Sequence, residues 1–329
     1  MLADLFEGLK RKASGWNKKI VFPEGLDERV LRACGRLAEE DIIIPVLVGS
    51  IEAIQKRADE WRISLDKMEI YDPVHYAGME EMVAAFLERR EGVATEDEAR
   101  TILMDVNYFG TMLVAMGLAD GLVSGAAHTT AETVRPALQL IRMKEGVGKA
   151  SGAFIMVRGE ERYLFADCAI NIAPDSQGLA EIAAESARTA AMFDIEPRIA
   201  MLSFSTKGSA VSPETERVSE AVELARQMAP GLVIDGEFQF DAAFVPAVAR
   251  KKAPDSAIQG DASVFVFPSL EAGNIGYKIA QRLGHFEAVG PILQGLNAPV
   301  NDLSRGCSEE DVYNLAMITA VQSMGGPSV

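Results

Sequence analysis

The sequence predicts an α/β protein of two three-layer α/β/α domains around a cleft. Three observations lead there. From Lys19 onward the chain repeats an apolar strand, a polar or glycine-containing turn and an amphipathic helix, the pattern of βα units that build a parallel sheet covered by helices. At 329 residues it is too long for one ordinary core. Beyond a Gly-, Lys- and Ser-rich stretch at Lys144 to Gly152 the pattern changes, with an antiparallel hairpin set into the otherwise parallel plan.

In chain order, the apolar and polar periods predict a surface helix around Leu5, Phe6 and Leu9. Strand–helix pairs follow at Ile20–Phe22 with Asp27–Glu39 and at Ile42–Val48 with Ile51–Trp61. A short strand at Met68–Tyr71 precedes three helices, Met79–Arg90, Thr95–Met104 and Val106–Met116, the last two separated at Asp105. Ala119–Ser124 reads as a buried strand, and a helix then runs to Met143, with Thr129 and Glu132 at capping-box spacing and Pro136 bending its axis. The hairpin is Ala153–Val157 with Tyr163–Cys168. A helix capped at Asp175 or Ser176 reaches Met192, and Ile199–Phe204 is a strand. Ser212-Pro213 starts another helix, Leu232–Ile234 is a strand, Ala242–Ala249 is helical, Ser263–Phe267 is a strand, Gly273 to Gly276 opens a helix, and Ala288–Leu293 is the last strand. The final helix, beginning at Glu309, is too short to form a body of its own and is expected to return to the first domain. That domain is therefore discontinuous, 1–146 plus 292–329, with 147–291 as the second and Ser304 to Asp311 in the cleft.

Composition limits the partners. With 32 Lys and Arg against 48 Asp and Glu the net charge is −16, which repels a phosphate backbone or an anionic membrane surface at long range. Any anionic substrate must be gripped locally. Three cysteines, Cys34, Cys168 and Cys307, form no CxxC pair, so neither a disulfide framework nor a zinc site is indicated and a reducing cytoplasm fits. No apolar run is long enough to span a bilayer, and no signal-peptide pattern opens the chain.

Chemistry concentrates in Asn301 to Val312, which packs an arginine, two hydroxyls, a thiol and a carboxylate into one turn before a helix. A helix N-terminus offers unpaired N–H groups and the positive end of a dipole, and Arg305 adds a planar fork of donors, so an anion or a carbonyl oxygen would be held there with Asp311 as a base beside it. The plain structural alternative is that Asp311 only completes the cap started by Ser308 and that Arg305 only ties the loop to a neighbour. Gly125 to Thr130, between a strand and a helix, also suits a phosphate, or else is an ordinary turn of small residues. Ser205 to Ser209 contains Lys207 and Gly208 but lacks the first glycine and the Gly-Lys-Ser/Thr order of a P-loop. No GxGxxG, HExxH or GxSxG occurs, and of the three histidines only His128 lies on a suspected active loop.

Longer motifs carry a resemblance. Ser-Gly-Ala-Ala-His-Thr-Thr (Ser124 to Thr130) with Thr-Val-Arg-Pro (Thr133 to Pro136), Leu-Phe-Ala-Asp (Leu164 to Asp167), Met-Leu-Ser-Phe-Ser-Thr-Lys-Gly-Ser (Met201 to Ser209), Gly-Asn-Ile with Tyr-Lys-Ile-Ala-Gln-Arg-Leu (Gly273 to Leu283) and Asn-Asp-Leu-Ser-Arg-Gly-Cys (Asn301 to Cys307) resemble the phosphate acetyltransferase, or phosphotransacetylase, family. They run in order from about Lys19 to Met324.

The resemblance implies a fold like that of isocitrate and isopropylmalate dehydrogenases, a homodimer, and reversible acetyl transfer between acetyl phosphate and coenzyme A. Coenzyme A, acetyl phosphate and phosphate are then the partners, with no tightly bound cofactor and no metal. By the same resemblance Asp311 is the base that takes the thiol proton, Arg305 binds the phosphate and acyl oxygen, and Ser304 orients the thiol or stabilises the transition state. Arg90 and Arg135 match arginines that assist anion binding, with Arg89 an alternative to Arg90. Ser124, His128, Thr129, Lys207, Asn274 and Cys307 lie in the matching motifs and are expected to line the substrate site. The chemistry is coherent, since a thiol of pKa about 8.5 needs a base and a tetrahedral oxyanion needs fixed donors. Arg305 and the N–H groups from Gly306 to Ser308 are the candidate donors. The other readings are a phosphate butyryltransferase-like enzyme, a dehydrogenase of the same fold, for which no nicotinamide site or aspartate cluster is visible, and a non-catalytic acyl-phosphate sensor.

Overall fold

The computed structural model describes residues 2–325, with side chains from Leu5 onward. The last four residues of the expected first domain therefore lie outside the described residues. The chain divides into two compact units, one of residues 6–144 with 296–325 and the other built on residues 145–295.

Helix α1 (Leu2–Ala13) precedes β1 (Lys19–Phe22), α2 (Glu28–Glu39), β2 (Ile44–Val48), α3 (Ile51–Trp61), β3 (Glu69–Tyr71), α4 (Met79–Arg90), α5 (Glu96–Ile102), α6 (Val106–Ala115), β4 (Gly121–Ser124) and α7 (Thr130–Pro136). Then come β5 (Ser151–Arg158), β6 (Glu161–Ala166), α8 (Ser176–Met192), β7 (Arg198–Leu202), α9 (Pro213–Met228), β8 (Val233–Phe238), α10 (Phe240–Phe244), α11 (Pro246–Lys252), β9 (Val264–Val266), α12 (Leu270–Arg282) and β10 (Glu287–Gln294). Finally β11 (Val300–Asp302) and α13 (Glu309–Ser323) return to the first unit.

In the first unit the sheet order is β11-β4-β1-β2-β3, and every pairing is parallel. Its central strands are apolar because both faces are covered: Ile20, Val21, Phe22, Leu47 and Leu122 are fully buried. Helix α13 is apolar nearly all round for the same reason, since it packs between α2 and β4 with Val312, Ala316 and Ile318 at 0% exposure. In the other unit the order is β10-β5-β6-β9-β7-β8. The β10–β5 and β5–β6 pairs are antiparallel and the rest parallel, around a core of Phe165, Phe238, Phe265 and Phe267.

Helix starts follow short polar side chains. Asp27, Asp105, Asp175 and Ser269 each accept from a first-turn N–H, and Thr95, Thr129, Ser212 and Ser308 complete capping boxes.

Four elements differ from the sequence expectation. The helix through Pro136 does not simply bend: residues 137–141 form a π turn closed by Arg142 N donating to Ala137 O at 3.1 Å, because the proline ring supplies no N–H to the α ladder. The Ala242–Ala249 run is two short helices, since Val245 before Pro246 is extended (φ −111°, ψ 113°). Helix α12 begins at Leu270, capped by Ser269, so Gly273 lies inside it. A Cβ at Gly273 would stand 2.2 Å from the Asp167 carbonyl oxygen, so its absence permits close packing of α12. Strand β11 was not anticipated; three residues are too few for a period to show.

Candidate active site

Strands β11, β4 and β1 are neighbours in one parallel sheet, so the loops leaving their carboxyl ends lie side by side, the usual place for a ligand in such a sheet. These loops carry Leu303 to Ser308, Gly125 to Thr129 and Glu24 to Asp27.

The Gly125–Thr129 loop is wound around a carboxylate of its own chain. Buried Glu24 accepts the N–H groups of Gly125 (3.2 Å), Ala126 (2.8 Å), Ala127 (2.7 Å) and His128 (2.9 Å), and the His128 ring Nδ1 at 2.8 Å. The anion-holding geometry read from the small residues is real, but an internal carboxylate occupies it, so these N–H groups are not available to a substrate phosphate. The loop after β7 repeats the device: Glu237 accepts from Gly208 N at 2.8 Å and from the hydroxyls of Ser205 and Ser219 at 2.7 and 3.0 Å.

Arg29 ties two of the loops together. Its guanidinium donates to the carbonyls of Arg305 (2.9 Å), Cys307 (3.0 Å) and Ala126 (2.7 Å), and is itself gripped by Asp27 at 2.7 and 3.0 Å. Five donors in a rigid plane are spent on backbone carbonyls and one carboxylate, an arrangement that lysine could not make. Farther along α2, Arg36 bonds Glu309 at 3.0 Å and Glu310 at 2.8 Å and lies 4.2 Å from the Tyr313 ring centroid, which holds the start of α13 against α2.

On this frame Ser304, Arg305 and Gly306 are exposed. The Arg305 guanidinium has no hydrogen bond or ion pair among the described residues; the nearby charge it meets is that of Glu132. The N–H groups of the loop are used internally, which corrects the sequence expectation: Gly306 donates to Ser304 Oγ (3.3 Å), Cys307 to Ser304 O (2.8 Å) and Ser308 to Asp311 Oδ2 (2.8 Å). The Arg305 guanidinium is thus a free charged donor of the loop among the described residues.

Asp311 is exposed and is both a cap and a candidate base. Its Oδ2 accepts from Ser308 N and, at 2.9 Å, from Ser308 Oγ, while Oδ1 has no partner among the described residues. Cys307 is 8% exposed, and burial pushes its thiol above the ordinary range against the opposing charge of Arg29. A buried, protonated thiol is a poor nucleophile.

The remaining expected residues separate clearly. Arg89 is consumed by the carbonyls of Leu140 and Ala115, whereas Arg90 and Arg135 line an open pocket of ≈ 560 Å³ with Phe86, Tyr108 and Gln139. Neither Arg90 nor Arg135 is paired among the described residues. On α7, Glu132 and Arg135 stand three residues apart on one face, Glu132 near the Arg305 charge and Arg135 in this pocket. Ser124 is fully buried and donates to Asn107 Oδ1 at 2.8 Å, so its hydroxyl is not offered to a ligand, contrary to expectation. Thr129 is spent on the cap, bonding Glu132 at 2.7 Å.

Two expected residues belong to the other unit and have internal partners there. The Lys207 ammonium bonds the Asp235 carboxylate and, at 2.7 Å, the Gly236 carbonyl. Asn274 donates to Cys168 O at 3.2 Å and accepts from Lys278 at 2.8 Å. No cluster of three His, Cys, Asp or Glu able to hold a metal occurs among the described residues.

Sequence reasoning missed Glu24, Arg29, Tyr108 and Gln139. A lone acid after a strand and an arginine in the first turn of a helix give no local signal, because their partners lie about a hundred to nearly three hundred residues away.

A two-unit α/β chain with this free arginine, hydroxyl and carboxylate at one strand end has the equipment of an acyl or phosphoryl transferase. A family model described as phosphate acetyl/butaryl transferase matches residues 4–320, and the chain belongs to that family. It is 69% identical over 323 residues to the phosphate acetyltransferase of Bacillus subtilis (strain 168), covering 98% of this chain and 100% of that protein. Among solved structures, the EutD phosphotransacetylase from Staphylococcus aureus is 59% identical with a TM-score of 0.94, covering 98% of this chain and 99% of that one. A phosphotransacetylase from Streptococcus pyogenes is 57% identical with a TM-score of 0.97 over the same shares.

Proposed function

We propose that the chain is a phosphate acetyltransferase that moves an acetyl group between acetyl phosphate and coenzyme A by direct thiol attack, both substrates being bound at once. The observation that carries the reading is the unpaired Arg305 guanidinium beside Ser304 and the exposed carboxylate of Asp311. Relatives at 59–69% identity are named acetyltransferases. A branched-chain phosphotransacylase from Enterococcus faecalis V583, at 20% identity and a TM-score of 0.67, shares the fold. The longer-chain alternative is therefore not favoured.

Asp311 Oδ1 takes the thiol proton of coenzyme A, and the sulfur attacks the carbonyl carbon of acetyl phosphate. Arg305 stabilises the oxyanion of the tetrahedral intermediate, with the Ser304 hydroxyl as a second donor. The carbon–oxygen bond to phosphate then breaks, and the proton held by Asp311 leaves with hydrogen phosphate. Holding both substrates together turns a bimolecular collision into a positioned step. The Arg90–Arg135 pocket takes phosphate groups of coenzyme A.

A homodimer is supported by an exposed apolar stripe of Ile275 and Ile279 on α12 and Leu283 at its C-cap, at helical spacing. A cytoplasmic setting is supported by three free, buried cysteines; among the described residues no helix is long and apolar enough to cross a membrane. The test is thioester absorbance with coenzyme A and acetyl, propionyl or butyryl phosphate. Acetyl phosphate is expected to be preferred, with Arg305→Lys failing because a point charge cannot hold two oxygens at once. No thioester from any acyl phosphate, or full activity in Arg305→Lys, would overturn it.

A further inference from the structure

We infer that Asp302 is a positioning residue for the transfer reaction: its buried carboxyl, bonded to Thr130, latches the strand leading into Ser304 and Arg305 to the first turn of the helix that follows His128. The inference rests on the reading of Ser304, Arg305 and Asp311 as the reacting groups.

The geometry is specific. Asp302 ends β11, side by side with Ser124 of β4, and the last backbone tie of this edge is Leu303 N to Ser124 O at 2.7 Å. Asp302 Oδ2 accepts from Thr130 Oγ1 at 2.6 Å, and this is the last side-chain bond to α7 before Ser304. The contact is close on both sides. Gly125, at φ +109°, lies so near that a Cβ there would stand 2.5 Å from Asp302 Oδ1 and 2.5 Å from the Leu303 carbonyl.

Economy of folding does not explain a carboxyl at this place. Asp302 is 5% exposed, and among the described residues its Oδ1 and the Thr133 hydroxyl one turn beyond Thr130 are both buried without a hydrogen bond of normal geometry. Burying a carboxyl with one donor costs free energy, and the cost is enlarged here by the charge of Glu24 on the other side of Gly125. Burial, and to a smaller extent that neighbouring charge, push the Asp302 carboxyl up, with the Thr130 and Thr133 hydroxyls opposing. The bond to Thr130 needs only an accepting oxygen at this place, and it is this bond that latches the two segments together. A neutral amide of the same shape can do the same work, because its oxygen still accepts from Thr130.

Four single variants and one double test this, each measured as turnover per folded molecule alongside thermal unfolding. Asp302→Ala and Thr130→Val should lower kcat about tenfold or more with each KM held within about twofold, since misplacing reacting groups by a fraction of an ångström affects the chemical step. Asp302→Asn and Thr130→Ser should stay within about threefold of the wild type, and the double variant Asp302→Ala with Thr130→Val should be no slower than the worse single one. Thr130 is exposed, so Thr130→Val decides the matter even where Asp302→Ala fails to fold. Wild-type kcat in the folded Thr130→Val variant, additive losses in the double variant, or Asp302→Asn as slow as Asp302→Ala would overturn the latch. A wild-type protein with no acetyl transfer would instead remove the reading on which it rests.

Discussion

One oxygen of Glu24 accepts both the backbone N–H and the ring Nδ1 of His128. A carboxylate only accepts, so Nδ1 carries the proton and Nε2 is the ring nitrogen left for other contacts. The same carboxylate takes three more N–H groups from residues 125–127, which makes it the internal counter-ion of the loop. Glu24→Gln turns an acceptor into a donor facing donors. We expect it to lower stability by roughly 3 kcal/mol, the scale of one or two lost bonds to a charged group. Thermal unfolding measures this, and an unchanged midpoint would show that the loop does not depend on the carboxylate.

The neighbours Arg89 and Arg90 should part company on mutation. Arg90→Ala and Arg135→Ala are expected to raise the KM for coenzyme A about tenfold with a smaller change in kcat and little change in stability, because both guanidinium groups line the open pocket without partners among the described residues. Arg89→Ala is expected to act on stability, because its donors satisfy the Leu140 and Ala115 carbonyls. Steady-state kinetics beside unfolding curves separates the two. A KM effect from Arg89→Ala larger than that from Arg90→Ala would reverse the assignment.

Cys307 should behave as a packed thiol. Burial raises its pKa, so the protonated form persists through neutral pH and the thiolate appears only above the ordinary thiol range near 8.5. Alkylation by iodoacetamide should accordingly be slow at pH 7 and climb only at alkaline pH. Cys307→Ala should keep activity within about tenfold, the loss coming from altered packing. Labelled acetyl trapped on Cys307 when coenzyme A is withheld would make it the nucleophile instead.

Strong local patterns carried most of the fold. Helix starts were legible where Asp, Ser or Thr stands before an apolar period, as at Asp27, Thr129 and Ser308, because a cap is a contact between residues two or three apart. What escaped depends on distant partners: β11 forms only because β4 lies beside it, and Gly273 is required by the Asp167 carbonyl rather than by a helix start. The site divides the same way. Ser304, Arg305 and Asp311 stand out within one short stretch, whereas Glu24 and Arg29 gain their meaning from loops about a hundred and nearly three hundred residues on. The loop at Ser124–Thr129 shows the limit most plainly: its shape for an anion could be read, but not that the chain supplies its own.

The most direct measurement of the central claim is turnover of Asp311→Asn in the purified, folded protein. Asparagine keeps an oxygen to accept from Ser308 N and Oγ, so the cap and the fold should survive. Without a carboxylate to take the thiol proton, kcat should fall by roughly 10²–10⁴-fold, the range for loss of a general base. Near-normal turnover in the folded variant would contradict the account and leave Asp311 as a helix cap.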